Sequence, residues 1–238
     1  MKLDGSVAIV TGASRGLGLE VARAYAARGA KLVIAARGRE TLESAAAELS
    51  RNTDVVAIAL DVSEAAERLV AAGLDRFGRI DVLVNNASEL GPSPMPALES
   101  YDWQDLERVL RVNVLAPLLL AQLVLPGMEM RGEGVIINVS SDAGVEAYPG
   151  WGGYGASKAA LEHLTRTLAA EIPDTGIRVY AVDPGDMNTA MHQMAEPGVD
   201  LSGLPGPEQS AAAFVHLVEN ETAAYLRISA RAFAGAMV

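Results

Sequence analysis

The chain has 238 residues, half of them apolar, no cysteine and a formal net charge of -11. A core of that size suits one α/β domain. The acidic balance excludes a broad basic surface for nucleic acid or an anionic membrane, so a bound polyanion must be held by a local basic site; without cysteine there is no disulfide framework, thiolate nucleophile or thiolate metal site.

From the N-terminus, one lysine and a short apolar run lead into glycines, unlike the long apolar stretch of a secretion signal, and no run approaches the roughly eighteen apolar residues of a membrane span. A soluble cytoplasmic protein is expected. Short β-branched runs then alternate with longer Ala/Leu/Glu/Arg stretches: VAIVT before GLEVARAYAARG, KLVIAAR before RETLESAAAELS, VVAIALDV before EAAERLVAAGLDRFG. The rhythm continues through IDVLVNNA, a helical stretch over 102–129, GVIINVSS, a helix from Ser157 and IRVYAVDPG. Continuous apolar strands separated by helices predict a Rossmann-like, doubly wound parallel sheet, a three-layer sandwich forming a single domain over 1–238. The Gly/Pro-rich segment 195–209 reads as part of a substrate lid over about 190–209 or as a plain surface loop.

The first chemical motif is TGASRGLG, Thr11 to Gly18, between the first strand and the first helix. Gly12, Gly16 and Gly18 permit a tight turn and close approach of a pyrophosphate, which the free N–H groups and dipole of a helix start favour. An ordinary βα turn uses glycine too. The second motif is YGASK, which sets Tyr154 and Lys158 on one helix face in a chain with only three lysines. A cation there would stabilise the phenolate and lower the tyrosine pKa, while Gly155, Ala156 and Ser157 would let a flat cofactor lie close. Ser141 ends GVIINVS at the carboxyl edge, where its hydroxyl could hydrogen-bond a substrate oxygen. Read singly, these residues could equally be a packed aromatic, a solvated charge and a cap. His163 and His192 have no partner at a metal-ligand spacing and read as packing or surface residues, with a substrate contact open for His192; no metal is expected.

Together TGASRGLG, NNAS, Asn113, SSDAG, YGASK and DPGDMNT have the order and spacing of the short-chain dehydrogenase/reductase family, with Tyr154 thirteen residues after Ser141, and the chain resembles that family over about residues 3–189. The resemblance implies Ser141, Tyr154 and Lys158 as the catalytic set, with Asn113 holding a water that continues a proton relay; a satisfied core amide is the alternative for Asn113. It implies cofactor contacts from Gly12, Ser14, Arg15, Gly16, Leu17 and Gly18, from Asp61 and Val62 at the adenine, from Asn86 and Ala87 near the ribose, from Tyr154 and Lys158, from Pro184 and Gly185, and from Thr189 at the nicotinamide carboxamide. Asp61 reads equally as a helix cap. Two departures stand out: NNAS where the family has NNAG, and AAYLRISARAFAGAMV in place of its glycine-containing C-terminal strand.

Arg37 directly follows the second strand, where an NAD-selective site would carry an acid, and with Arg15 could hold a 2′-phosphate by paired hydrogen bonds. NADP(H) is therefore the expected cofactor, NAD(H) the lesser one. The expected function is reduction of a ketone to a secondary alcohol, or the reverse, on a small-molecule substrate; a non-catalytic sensor or scaffold of the same fold is the alternative, and a nucleotide-sugar epimerase would need more chain. A homodimer or homotetramer is expected, through apolar helix faces and by resemblance.

Overall fold

A computed structural model describes residues 1–233. Seven strands, β1 (Val7–Thr11), β2 (Lys31–Ala36), β3 (Val55–Ala59), β4 (Val82–Asn85), β5 (Gly134–Val139), β6 (Ile177–Asp183) and β7 (Tyr225–Ser229), form one sheet in the order β3-β2-β1-β4-β5-β6-β7. Every pairing is parallel, with Ile9 opposite both Val33 and Leu83 and Ile136 opposite both Leu83 and Val179. The helices between them are α1 (Gly16–Ala26), α2 (Arg39–Leu49), α3 (Val62–Phe77), α4 (Trp103–Leu110), α5 (Ala116–Arg131), α6 (Gly152–Glu171), α7 (Ala190–Ala195) and α8 (Glu208–Glu219).

Strand side chains alternate between faces, and the core divides accordingly. Val10, Ile34, Val84, Ile137 and Val182 pack with α1, α2 and α8, represented by Val21, Tyr25, Leu42 and Phe214. Ile9, Val33, Leu83, Ile136 and Val179 pack with α3 and α5 through Leu69, Leu120, Val124 and Met128. With both faces covered, the strands have to be apolar throughout, which is why they read as runs and not as alternations.

Three sequence expectations are corrected. The stretch 102–129 is not one regular α-helix, because a π-turn at Arg111–Leu115 joins α4 to α5. The whole of Trp103–Arg131 is long and apolar enough to cross a membrane, contrary to the reading of the runs; half of its apolar window is buried in the domain, with α5 packed in the core beside α3. Finally, the unusual C-terminal segment does supply a strand: Leu226 of β7 lies opposite Tyr180 of β6, although residues 234–238 of that segment lie outside the described residues. The presumed lid comprises α7 and a turn-rich stretch up to α8, tied down where Ser93 Oγ donates to the Met194 carbonyl at 2.6 Å and Asn188 N–H to the Pro205 carbonyl at 2.9 Å.

Candidate active site

Parallel strands deliver all their carboxyl ends to one edge, and the turn after β1 is built there from inside. Thr11 Oγ1 donates to the Val84 carbonyl at 3.3 Å and accepts the N–H groups of Asn86 and Ala87, each at 3.0 Å. Asn86 Nδ2 donates back to the carbonyls of Thr11 at 2.8 Å and Gly12 at 3.3 Å. A Cβ on Gly12, whose φ is +68, would stand 2.8 Å from Asn86 Nδ2, so only glycine fits. The Asn86 side chain is thus committed to shaping the turn.

The helix that follows is left open to an anion. Arg15 is its extended, exposed N-cap residue; no side chain caps α1 and its first turn holds no acid. By contrast Asp61 caps α3 and Asp102 caps α4. Uncapped first-turn N–H groups need an acceptor, and behind a glycine turn they fit a pyrophosphate, so this chain's residues suit the dinucleotide that the resemblance implies. Thr189 reaches the same place from the far side, its methyl 3.9 Å from where a Gly16 Cβ would stand. Thr189 itself caps α7, and the preceding Pro184 carbonyl accepts Ser210 Oγ at 2.8 Å; Gly185, with φ +74, turns the chain there. Ser14 is partly buried, and Leu17 and Val62 are core residues. Asp61 spends one oxygen on Ser63 N–H and Oγ, at 2.9 and 2.7 Å, in the capping role. Arg37 is exposed and pairs with Glu89 at 3.1 Å, a contact between residues with no local pattern to connect them.

Ser140 and Ser141 point apart. Both border a cleft of about 320 Å³ with Tyr154, Tyr148, Trp151, Met187 and His192, but Ser140 is buried and donates its hydroxyl to Glu162 Oε1 at 2.5 Å, whereas Ser141 is only partly buried. Lys158, 2% exposed, donates from Nζ to the Val139 carbonyl at 2.8 Å and lies 5.3 Å from the Tyr154 ring centre. Burial lowers its pKa from 10.5 to about 8, against the pull of Glu162. Tyr154 departs from the sequence expectation, because burial foremost, then the charges of Asp183 and Asp142, raises its pKa well above the usual phenol value, while contacts with Ser88 and Ser141 act oppositely. Proximity of the lysine does not outweigh desolvation.

Asn113 is fully buried in the π-turn with all its amide groups matched: Oδ1 accepts Glu89 N–H at 2.7 Å and Ser88 Oγ at 3.2 Å, and Nδ2 donates to the Glu89 carbonyl at 2.8 Å and Ser157 Oγ at 2.9 Å. It is a satisfied core amide tying the 88–89 segment to α6. The sequence reading missed a second such chain, in which Asn85 donates to Asn138 and Asn138 to Thr165, both at 2.8 Å; an asparagine inside the apolar run GVIINVS was the signal. It also missed Asp142, whose only mark is an acid directly after Ser141. Of the methionines at and before the lid, Met187 and Met191 line the cleft, but Met194 is exposed. His163 lies on the surface beside Arg166, and among the described residues no group of His, Asp or Glu is placed to hold a metal.

The chain is similar to known proteins over most of its length. Residues 6–199 match the family profile described as short chain dehydrogenase. An uncharacterized oxidoreductase of Thermotoga maritima is 41% identical over 189 residues, 78% of this chain and 73% of that protein. A 3-oxoacyl-[acyl-carrier-protein] reductase of Synechocystis is 36% identical over 233 residues, 94% of this chain and 93% of its own. The crystal structure of 3-ketoacyl-(acyl-carrier-protein) reductase from Brucella melitensis, complexed with NADH, superposes with a TM-score of 0.85 at 30% identity, covering 96% of this chain and 98% of that one.

The buried ammonium has a thermodynamic signature. Lys158 falls to about 8 in the folded protein from an ordinary 10.5, so within that window the unfolded chain binds more protons and stability from this group rises with pH. In urea unfolding, wild-type protein should gain stability relative to Lys158→Met between pH 8 and pH 10. A stability gap that stays constant over this range would show that Lys158 is not buried as described.

Proposed function

The chain belongs to the short-chain dehydrogenase family, and from that premise we propose that it is an NADP-dependent oxidoreductase interconverting a ketone and a secondary alcohol, with Tyr154 as the acid/base. The observation that carries the reading is that Ser141 and Tyr154 line one cleft with Lys158 5.3 Å behind the Tyr154 ring. A bound nicotinamide would supply or accept the hydride. Tyr154 passes its phenolic proton to the carbonyl oxygen during reduction, and Ser141 donates a hydrogen bond to the same oxygen, exchanging the Asp142 carboxylate it meets at 3.0 Å. Lys158 would hold the ribose and favour the phenolate left by proton transfer. Asn113, with no amide group to spare, supports Ser157 and the 88–89 backbone.

Tyr154→Phe should preserve the fold and cofactor binding while kcat falls by about a hundred- to ten-thousandfold, read as NADPH consumption against a panel of ketones and NADP reduction with the matching alcohols. Turnover of the variant at the wild-type rate on a confirmed substrate would refute Tyr154 as the acid/base.

Cofactor preference rests on Arg15, inside the glycine turn, and Arg37, directly after β2. A 2′-phosphate would take Arg37 from Glu89, a pair in which the arginine is 66% exposed and the carboxylate 16%. Such pairs contribute about 1 kcal/mol or less. Arg37→Asp should shift kcat/KM towards NADH, and Glu89→Gln should tighten NADPH binding by about two- to fivefold in a fluorescence titration. Equal or better kcat/KM with NADH in the wild type would defeat the assignment.

We also read the protein as a homodimer or homotetramer. Trp103 and Leu115, 69% and 55% exposed, stand on the α4–π-turn–α5 element with its excess of apolar residues, a face that a second copy would cover. Light scattering at micromolar concentration should give a mass of at least two chains, and a monomer mass would reject it.

A further inference from the structure

The cleft beside Ser141 has a chemical character of its own. One wall is aromatic, formed by Tyr148, Trp151 and Tyr154, the latter two meeting edge to face at 5.8 Å. Tyr148 is 44% exposed. Two carboxylates also line the cleft, the exposed Asp142 and the mostly buried Asp183. Asp142 accepts only neutral donors, Ser141 Oγ at 3.0 Å, Ala143 N–H at 2.8 Å and Tyr148 OH at 3.1 Å, so its charge is held in place and not cancelled. Asp183 is 9% exposed, yet lines the cleft, and only its Oδ1 is engaged, by Gly185 N–H at 2.9 Å.

Other polar side chains around the cleft have partners. Asp186 pairs with Arg231 at 2.8 Å and Glu196 lies 3.7 Å from the His192 ring. Arg227, whose guanidinium comes within 3.5 Å of the Ser141 carbonyl, is engaged by Glu162 at 2.9 Å. No lysine or arginine side chain lines the cleft among the described residues. An acidic surface is ordinary in a chain with net charge -11; a mostly buried carboxylate with one oxygen left open to an aromatic-walled cavity is less so, even with the fields of Arg227 and Arg231 acting on it. Carboxylates opposite aromatic faces are the arrangement that receives an organic ammonium, by Coulomb attraction and cation–π contact together.

We infer that the substrate of this cleft is a carbonyl or alcohol compound bearing an ammonium group, with Asp142 and Asp183 as counter-charge and Tyr148 and Trp151 as the wall it rests on. The carbonyl part of the inference rests on the oxidoreductase reading above; the preference for a cation does not.

Choline and its uncharged isostere 3,3-dimethylbutan-1-ol separate the two, because their binding to the cofactor-free protein requires no hydride transfer. In tryptophan-fluorescence or calorimetric titrations, wild-type protein should bind choline about tenfold more tightly than the isostere. Asp142→Asn should reduce the ratio to near one, while Tyr148→Phe, which keeps the charge and the ring, should retain most of it; circular dichroism checks that each variant is folded. No detectable choline binding, no preference in the wild type, or a preference unchanged in folded Asp142→Asn would each overturn the inference. Cation preference without turnover of any ketone or alcohol would leave it standing and count against the oxidoreductase reading.

Discussion

One buried ammonium sets the geometry of the site. Removing a charged amine from water costs several kcal/mol unless its donors are met, and Lys158 has the Val139 carbonyl, the Tyr154 ring face and the field of Glu162 to offset that cost. Those partners lie on the end of β5 and on α6, so the lysine specifies where the helix sits on the sheet. The approach is close. A Cβ on Gly155 would stand 2.5 Å from the Ala143 carbonyl, and one on Gly144 would stand 3.1 Å from Lys158 Cβ. Because the turn at 142–144 rests directly on the helix, Ser141 and Tyr154 open into the same cleft although they come from different elements.

The second support is the π-turn. Its Asn113 joins the Glu89 backbone to Ser157, and Ser88 touches both Asn113 and the surroundings of Tyr154. The serine where the family carries glycine in NNAG is therefore wired into the site. Its neighbour Glu89 reaches the opposite way, to Arg37. One short segment after β4 thus connects the tyrosine to the arginine at the end of β2, with the glycine turn packed on Asn86 between them.

The fold was legible because strands covered on both faces must be continuously apolar, and this chain's runs, unlike alternating ones, admit few other architectures. That Tyr154 and Lys158 share a helix face was legible from helix periodicity and that Ser140 and Ser141 point apart from strand alternation, whereas the choice of Ser141 came from the family spacing to Tyr154. What could not be read was set by partners distant in sequence. Glu89 lies 52 residues from Arg37 and Arg227 lies 65 from Glu162, and no local pattern announces either pair. The Tyr154 pKa was misjudged for a related reason. Spacing reveals that a cation is near, but the depth of burial that outweighs it is a property of the packed domain. The π-turn was hidden because α and π segments share the same apolar composition.

Opposite charges mark the glycine turn and the cleft, and this division has a chemical use. At the glycine turn an otherwise acidic protein presents Arg15, Arg37 and the uncapped start of α1, where a polyphosphate would be received. At the cleft it presents Asp142 and Asp183, both of which raise the Tyr154 pKa. A tyrosine so raised is a neutral phenol at physiological pH, fit to donate a proton and poor at accepting one. Loss of that proton becomes easier when positive charge enters the cleft or when Lys158 is fully protonated. An ammonium-bearing substrate would supply the first condition on arrival, since a cation between those carboxylates and the ring offsets the field that holds the proton on. In the proposed chemistry, the charge that selects the substrate and the charge that sets the acid are then one and the same feature of the cleft.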